Sequence, residues 1–208
     1  MVDEVFNMTK ATLASIYALI ILLSSCGYNS TYEKTNAGWS YISYDEGAGK
    51  RTIDLNVDNK TFITIDDDYA KDKDKVFYQG RHIELALPQS FQVLTEGYSK
   101  DIENVYLFNY PIINANPDAF AVLGGLFSKD NENIYCGTIP FLSGEISSFE
   151  ILEKNPSKTV IKTSEFLKKN PQYSFIDESK YKVVVYSNSI SSLHGKRYKG
   201  ISELATDQ

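Results

Sequence analysis

The chain has 208 residues, of which 42% are hydrophobic and 23% charged, and its formal net charge is −6 at pH 7. This length suits one ordinary domain with its own hydrophobic core, and the composition is that of a globular protein rather than a disordered one. The acidic balance argues against a nucleic-acid partner, because phosphate binding requires clustered Lys and Arg. Fifteen Tyr and eleven Phe, against one Trp and two Met, favour β-strands.

The N-terminal segment has the pattern of a secretory signal. Ala11–Leu23 is a predominantly apolar run of 13 residues, which is shorter than the ~20 that a transmembrane helix needs and within the roughly 7–15 of a secretory h-region. Asp3 and Glu4 stand where a signal peptide is expected to be basic. A start at Met8 would place Lys10 in that position instead, which favours translation from Met8.

The apolar run ends in Leu23-Ser24-Ser25-Cys26, which resembles the lipobox of bacterial lipoprotein precursors. In a lipobox, small residues before the cysteine admit the signal peptidase, and the cysteine sulfur is alkylated by a diacylglyceryl group. Cleavage between Ser25 and Cys26 frees an amine that is often acylated as well, and several acyl chains hold a protein firmly to a bilayer. The resemblance implies a signal peptide over residues 1–25 and a lipid-anchored position in the bacterial cell envelope, at the outer membrane or the cell surface. The alternative is an ordinary secretory signal that happens to contain a cysteine.

The body of the chain follows a 29-residue period. Tyr69–Gly97, Tyr98–Leu126 and Phe127–Asn155 align without a gap. Matching columns hold a lysine, two acids, a β-branched residue and two aromatics: Lys71/Lys100/Lys129, Asp72/Asp101/Asp130, Asp74/Glu103/Glu132, Val76/Val105/Ile134, Phe77/Tyr106/Tyr135 and Phe91/Phe120/Phe149. An ungapped match of this kind is typical of repeat architectures, in which stacked units bury faces that a single unit cannot bury.

Each period predicts short strands joined by tight turns. Tyr69–Lys71 and Val76–Tyr78 have strand composition, and the stretch between them is turn-prone because an Asp side chain can bond the backbone two residues on. Gly80 and Asn109 tolerate the positive φ of a second turn. Asn116-Pro117-Asp118 has the N-cap and first-position proline of a single helical turn.

The array is expected to extend at both ends. Trp39–Asp68 is interpreted as a degenerate first unit, because Phe62 lies one period before Phe91. Near the C-terminus, Phe175–Lys180 followed by Val183–Tyr186 repeats the strand–turn–strand half of a unit. Ser164–Lys169, ahead of a proline, predicts a short helix.

The predicted fold class is all-β (β-rich): stacked 29-residue repeats of β-hairpins with short helical turns, one short helix near the C-terminus, and a preceding signal peptide. The predicted segments are a signal peptide at 1–25, a lipidated tether at 26–38, a repeat domain at 39–190 and a C-terminal tail at 191–208.

The phrase Tyr-x-Lys-Asp-x-x-x-Val-Tyr, which begins at Tyr98, resembles the DKNYY family of bacterial repeat proteins, which are often lipoproteins. The resemblance covers Tyr69–Leu152 well and the flanks weakly. Phe77, Tyr78 and Gly80 match the two aromatics and the turn glycine that end the family pattern. The departures, which suggest decaying units, are Leu107, Cys136 and Thr138. Membership implies an architecture and a location but supplies no activity.

Two sets of charged residues are candidate binding groups. The aligned Lys71/Asp72 pairs and their copies would form a binding stripe, but turn chemistry alone explains the aspartates if the lysines face solvent. Asp66–Asp68 with Asp72 and Asp74 would offer oxygens to calcium, but no calcium-loop spacing is present and lysines alternate with the acids. A solvated acidic edge is the favoured interpretation, so no metal site and no cofactor are predicted.

No catalytic motif is found. His82 is expected on a surface strand and His194 in a loop, and Cys136 occupies a column of bulky residues, which favours a packed thiol over a nucleophile. With Cys26 lipidated, Cys136 has no disulfide partner. The predicted function is therefore a non-catalytic lipoprotein that presents a repeat surface to a protein or glycan. The alternative is a hydrolase-like envelope enzyme with a site formed between repeats.

Charge is divided unevenly along the chain. Residues 26–155 hold 11 basic and 20 acidic side chains, whereas residues 156–208 hold 9 and 5. The basic end, with Lys196, Arg197 and Lys199, would contact anionic lipid or a partner, or would pair with the acidic repeats of the same molecule. The second outcome is favoured.

Overall fold

The computed structural model describes residues 30–155 and 157–205, which form a β-rich fold of small antiparallel sheets with one helix near the C-terminus. The predicted fold class is confirmed. Leu23, Ser24, Ser25 and Cys26, with the rest of the predicted signal peptide, lie outside the described residues. Within that part of the chain, no helix combines the length and apolar character that crossing a membrane requires.

Sheet 1 consists of β1 Thr31–Thr35, β2 Gly38–Asp45 and β3 Gly49–Asp54, in that order. Three four-stranded sheets follow, and in each of them consecutive strands pair antiparallel. Sheet 2 has β4 Ile63–Thr64, β5 Tyr69–Lys71, β6 Val76–Tyr78 and β7 Arg81–His82; sheet 3 has β8 Gln92–Val93, β9 Tyr98–Lys100, β10 Val105–Leu107 and β11 Tyr110–Pro111; sheet 4 has β12 Ala121–Gly124, β13 Phe127–Lys129, β14 Asn133–Cys136 and β15 Ile139–Ser143.

The C-terminal third of the chain builds a fifth sheet and an insert. The insert contains β17 Lys158–Lys162, α1 Thr163–Lys169, a 3-10 turn at Pro171–Tyr173 and β18 Val183–Ser187, with β17 paired to β18. Sheet 5 has the order β16 Glu150–Glu153, β19 Ile190–Leu193, β20 Lys196–Lys199 and β21 Ser202–Glu203. The chain therefore leaves the array after β16 to form the insert and returns to the array at β19.

The sheets and the sequence period have different boundaries. In sheet 3, β9 and β10 come from the period that starts at Tyr98, but β8, which pairs with β9, is the end of the preceding period. Sheets 2 and 4 are assembled in the same way. Each period therefore donates its last strand to the sheet of its successor, and neighbouring units are interlocked.

A buried aspartate holds the turn of each hairpin. In sheet 3, Asp101 is only 3% exposed, and its Oδ1 accepts the backbone N–H groups of Glu103 and Asn104, both at 2.8 Å. Its Oδ2 accepts the N–H of Leu87 in the connector from sheet 2, at 2.8 Å. Asp72 and Asp130 make the same bonds to their turns and to Asp58 and Asn116. The burial of these carboxylates is tolerated because backbone donors replace water.

A ladder of aromatic rings connects the sheets. The ring centroid of Phe91 lies 5.8 Å from that of Tyr69 in sheet 2 and 6.3 Å from that of Tyr106 in sheet 3. Phe120 bridges Tyr98 and Tyr135 at 5.7 and 6.3 Å. The phenylalanine column thus lies between successive units, where it contributes to the hydrophobic core that no single sheet could enclose.

Phe62 occupies the corresponding place before sheet 2, with Trp39 at 4.7 Å and Phe77 at 6.3 Å between ring centroids. The predicted degenerate first unit, Trp39–Asp68, keeps this ring but differs from the repeat units in its strands. Its first part forms the long strands β2 and β3 instead of short hairpins.

Two predicted turns differ from expectation. The positive φ of the second hairpin turn in sheet 3 is at Phe108, with φ 58°, and not at Asn109. Asn116-Pro117-Asp118 is a turn and not a helix, although Asn116 Oδ1 accepts the N–H of Asp118 at 3.0 Å as a cap would. The N–H of Asn116 donates to Asp130 Oδ2 at 3.1 Å, which ties this turn to sheet 4.

The C-terminal prediction is partly wrong. Val183–Tyr186 does lie in a strand, β18, but its partner is β17 and not Phe175–Lys180. The short helix is confirmed as α1, and it stands where the other units have a tight aspartate turn. Val185 in β18 is fully buried, as Val76, Val105 and Ile134 are in the equivalent strands of sheets 2–4. The insert is thus a two-stranded hairpin whose connection contains α1 and a 3-10 turn.

Two segments expected to flank the domain contribute strands to it. Thr31–Thr35, within the predicted tether, pairs with β2 along its whole length. Most of β19, and all of β20 and β21, lie within the predicted tail, and they complete sheet 5 around the buried Leu193 and Tyr198. Apolar side chains in both segments are large enough to join the core, which short-range patterns do not reveal.

Candidate functional site

A cleft of about 590 Å³ lies between one face of β2 and β3 in sheet 1 and the second hairpin turns of sheets 2 and 3, and it is closed on one side by β17. Its basic lining residues are Arg51, Arg81 and Lys158, and none of the lining residues is acidic. The remaining walls are aromatic, amide, hydroxyl and aliphatic: Tyr41, Tyr78, Phe108, Tyr110, Gln79, Asn109, Ser30, Ser43, Ile53 and Val160. A basic cleft is unexpected in a chain with a net charge of −6.

The cleft lies at the end of the sheets opposite to the aspartate turns, because its floor contains the second hairpin turn of two units. Gln79 begins that turn in sheet 2 and Phe108 begins it in sheet 3. The N–H of Phe108 donates to Gly97 O at 2.7 Å. A Cβ at Gly97 would lie 2.6 Å from the Phe108 ring, so only glycine at position 97 permits the ring to pack against the backbone there.

The cationic groups of the cleft are only weakly neutralised. The Nζ of Lys158 lies 3.8 Å from the centroid of the Phe108 ring, a cation–π contact. Burial, and then the positive charge of Arg81, lowers the pKa of Lys158. Arg51 has one acidic neighbour, Asp45, at 3.9 Å, and both side chains are more than half exposed. Exposed pairs of this kind contribute little, so the cleft keeps a positive potential.

The tyrosines supply hydrogen-bond donors. Burial raises the pKa of Tyr41 and of Tyr78 above the ordinary value of 10.0, so both hydroxyl groups remain protonated at neutral pH. The rings of Tyr78 and Phe108 pack at 5.6 Å between centroids and join the wall of sheet 2 to that of sheet 3. The cleft is therefore built from neighbouring repeats, and no single unit contains it.

A second recess, of about 210 Å³, adjoins the cleft and shares Asn109 and Tyr110 with it. It is lined by His82, Glu84, Lys180 and Lys182, among others. The Nζ of Lys182 lies 3.7 Å from a carboxylate oxygen of Glu84. Burial, and then Lys75, lowers the pKa of His82, so its imidazole is neutral at pH 7. His82 lies on the exposed strand β7, as predicted.

The candidate Lys/Asp stripe is a structural element. The three aspartates are buried in their turns and in the connectors between sheets, which is the role that turn chemistry predicts. The expectation that the lysines face solvent holds for Lys129 but not for the first two. Lys71 Nζ donates to Pro88 O at 2.6 Å, and Lys100 Nζ donates to Pro117 O at 2.8 Å. These lysines tie each sheet to the connector that follows it.

The acidic residues considered for calcium are dispersed. Asp66 Oδ1 accepts the backbone N–H groups of Asp68 and Tyr69, and Asp68 Oδ1 accepts Gln79 Nε2 at 2.9 Å. Asp72 is committed to its turn, and Asp74 is exposed. Within residues 30–155 and 157–205, no group of three or more His, Cys, Asp or Glu side chains is arranged to hold a metal ion.

Cys136 is a packed thiol. It is fully buried, its Sγ lies 3.7 Å from Ser187 Oγ, and burial raises its pKa to about 11. His194 forms the two-residue turn between β19 and β20 with Gly195, and its Nε2 lies 2.8 Å from Glu145 O. Both residues therefore have structural partners away from the cleft.

The basic C-terminal end pairs mainly with itself. Lys196 Nζ lies 3.1 Å from Glu203 Oε2 across β20 and β21. The favoured expectation, pairing with the acidic repeats, applies instead to Lys182 and Glu84.

Sequence reasoning missed the cleft because its cations share no column. Arg81 stands where the next units have Tyr110 and Ile139, Arg51 precedes the regular array, and Lys158 lies in the insert. The one available signal is the presence of Arg81 beside the second turn, at a position that the other two periods fill with an uncharged residue.

Comparison with known proteins identifies one family. The model of the DKNYY family matches residues 5–110, just over half of the chain, and the chain belongs to that family. The match begins within the predicted signal peptide and ends in β11, so it extends further toward the N-terminus than the Tyr69–Leu152 resemblance. No curated protein and no solved structure matches the chain.

Proposed function

We propose that this member of the DKNYY family is a non-catalytic, lipid-anchored binding protein of the bacterial cell envelope, and that the cleft across sheets 1–3 is its binding site. The observation that carries the proposal is the lining of the cleft, with three basic side chains and four aromatic rings and no acid. This lining suits a protein or glycan ligand that carries negative charge. The cleft itself offers neither a carboxylate nor an imidazole as a general base, and His82 and Glu84 lie in the adjoining recess, which favours binding in the cleft over the alternative of a hydrolase with a site between repeats.

The anchor in this proposal is the lipobox Leu23-Ser24-Ser25-Cys26. Ser25–Cys26 is the cleaved bond, and the diacylglyceryl group on Cys26 with an acylated amine gives the multiple chains that stable anchoring needs. Only a few residues separate Cys26 from β1, so the domain is held close to the bilayer, at the outer membrane or the cell surface.

The anchor is tested with Cys26→Ala. The wild-type protein is expected in the detergent phase, with a diacylglyceryl mass on its N-terminal peptide, whereas Cys26→Ala should be an uncleaved precursor or soluble. Ser25→Ala keeps the thiol and a small residue before it, and should be lipidated as wild type. An unmodified Cys26 in the wild-type protein would remove the anchor from the proposal.

The binding site is tested by photo-crosslinking in the native envelope. A photoreactive phenylalanine replaces Tyr110 in the cleft in one variant and Ile102 in another. Ile102 is 71% exposed and lies at the aspartate-turn end of sheet 3, opposite to the cleft. An envelope component captured from position 110 but not from position 102 supports the cleft. Equal capture from both positions would contradict it.

A further inference from the structure

The cleft and the adjoining recess meet at Asn109 and Tyr110, which line both, and the two together are called the groove below. Basic side chains recur along this groove from sheet 1 to the end of the insert: Arg51, Arg81, Lys158, Lys180 and Lys182. Among the lining residues of both parts, Glu84 is the one acid, and it already lies 3.7 Å from Lys182. The groove is therefore a basic track rather than a single basic pocket.

Uncharged polar groups line the same cavity as the cations. Gln79 and Asn109 present amides, Ser43 a hydroxyl, and Tyr78 a protonated phenol. Amides and hydroxyls bind ligand hydroxyl groups, whereas guanidinium and ammonium groups bind carboxylate or phosphate. The lining thus matches a ligand that carries both anionic and hydroxyl groups.

The groove carries unrelieved like-charge repulsion. Lys158 has its pKa lowered by burial and by Arg81, and among the described residues neither side chain has a carboxylate within 4.0 Å. A bound anion between these two cations would replace repulsion by attraction. The free protein is therefore arranged to gain from an anion at this point.

Resting on the proposed function, we propose that the groove binds a hydroxylated linear polyanion, a glycan or polyol chain that carries carboxylate or phosphate groups at intervals. A single small anion would meet Arg81 and Lys158 but would leave Lys180, and Arg51 with its exposed partner Asp45, without a bound anion. A nucleic-acid strand fits less well, because bases need open aromatic faces and Lys158 covers the Phe108 ring at 3.8 Å.

The length of the ligand is the first test. Isothermal titration calorimetry compares galacturonic acid, a hexameric oligogalacturonate and maltohexaose, the neutral chain of equal length, with the protein purified in a neutral detergent. The hexameric acid should bind about tenfold or more tightly than the monomer, since linked groups bind with a high effective concentration. Maltohexaose should not bind. Equal affinity for monomer and hexamer, or binding of maltohexaose, would overturn the proposal.

Matched variants place the ligand in the groove. Arg81→Gln and Lys158→Gln should each weaken binding of the hexamer by about fivefold, as expected for one solvated charge pair. Lys196→Gln removes the same charge from β20, outside the groove, where Lys196 pairs with Glu203, and should leave the affinity unchanged. Equal loss in Lys196→Gln would show non-specific attraction and overturn the assignment to the groove.

Three other anionic ligands are compared with the oligogalacturonate. Poly-glutamate, oligothymidylate and vesicles that contain phosphatidylglycerol present the same sign of charge on a peptide, a nucleic acid and a lipid surface. Each should bind more weakly than the hexameric oligogalacturonate. Tighter binding of any of the three would overturn the proposal in favour of that class.

Failure of this inference is distinguishable from failure of the proposed function. Crosslinking from position 110 without oligogalacturonate binding would refute the proposed polyanionic ligand but would leave the cleft as a binding site. Oligogalacturonate binding without any crosslink in the envelope would support the groove chemistry and count against the envelope function.

Discussion

The carboxylate of Asp101 accepts the backbone N–H of Leu87, which lies in the connector from the preceding sheet, at 2.8 Å. In the same connector, Pro88 O accepts a hydrogen bond from Lys71 Nζ at 2.6 Å. The connector between sheets 2 and 3 is thus bound on one side by the lysine of the sheet before it and on the other by the aspartate of the sheet after it. The arrangement recurs one unit later, where Lys100 Nζ donates to Pro117 O and the carboxylate of Asp130 accepts the N–H of Asn116. The most periodic charged residues of the chain hold the units together.

Asp101→Asn should destabilise the domain by roughly 1.5–3 kcal/mol, because an amide cannot accept at both positions and leaves a buried N–H unpaired. Urea unfolding followed by circular dichroism measures this change. Glu103→Gln, which alters an exposed acid in the same turn, should stay within about 0.5 kcal/mol of wild type. Similar losses in the two variants would refute the structural role of the aspartate column.

The hydroxyl of Tyr106 donates to Asp101 Oδ2 at 2.7 Å, and that of Tyr135 donates to Asp130 Oδ2 at 2.7 Å. Phe77 occupies this position in sheet 2 and has no hydroxyl. Tyr106→Phe should cost about 1.5 kcal/mol, and Phe77→Tyr should raise stability by about 1 kcal/mol by adding the missing bond to Asp72. Thermal melting of the two variants measures both effects. A destabilised Phe77→Tyr would show that sheet 2 is not equivalent to the other two at this column.

Acid should weaken the fold through Asp130. Burial acts to raise the pKa of this carboxyl, but hydrogen bonds from Tyr135 and from backbone N–H groups outweigh burial and hold the pKa below its ordinary value. A lowered folded pKa contributes stability that is complete above the unfolded pKa of about 3.9 and is lost as pH falls through the folded pKa. The free energy of unfolding should therefore fall as the pH drops below about 4.

Urea titrations at several pH values measure that slope, and Asp130→Asn should make it shallower. The slope should not vanish, because backbone N–H groups also lower the pKa of Asp45 and Asp58. An unchanged slope in Asp130→Asn would mean that Asp130 has the same pKa in the folded and unfolded chains.

Removal of Tyr98–Leu126 deletes one period and joins Gly97 to Phe127. In the shortened chain, β8 meets β13 in the register that it has with β9, so the domain should fold with a lower melting temperature. Removal of 98–122 instead puts the columns out of phase and should cause aggregation through unpaired edges. Size-exclusion chromatography and circular dichroism separate these outcomes. If both forms misfold alike, the period records ancestry and does not govern the structure.

The buried thiol of Cys136 should be inert in the native protein. With its pKa raised to about 11, the thiol is almost entirely protonated at pH 8 and is shielded from reagents. In Cys26→Ser, where Cys136 is the single cysteine, alkylation by iodoacetamide at pH 8 should proceed only in denaturant. Rapid labelling without denaturant would place Cys136 in a segment that opens readily.

The sequence predicts the array well because the period is local. Tyr69–Lys71, the aspartate turn and Val76–Tyr78 need only short-range pairing, and the structure forms each of them where it is expected. The positive φ at Phe108 was not foreseen, since a bulky residue in this conformation is disfavoured in isolation. Here the bond from its N–H to Gly97 O fixes the turn.

The insert and the cleft depend on distant pairings that no short pattern records. β17 meets β18 across α1, and β16 meets β19 across the whole insert. Gly137 shows the same limit: its sequence context indicates only a turn, yet a Cβ there would lie 2.0 Å from Val185 O of the insert. Lys158 reaches the cleft through this packing, so its role could not be predicted from the 29-residue columns.

The donation of each period's last strand to the next sheet has a genetic consequence. No position within the 29 residues is a privileged boundary, because the pairing depends only on the cyclic order of the strands. Unequal crossing-over between two equivalent codons of neighbouring periods therefore adds or removes one unit without leaving a mismatched junction, wherever in the period the exchange occurs. Array length is consequently open to change by recombination in a single step, whatever the placement of the join.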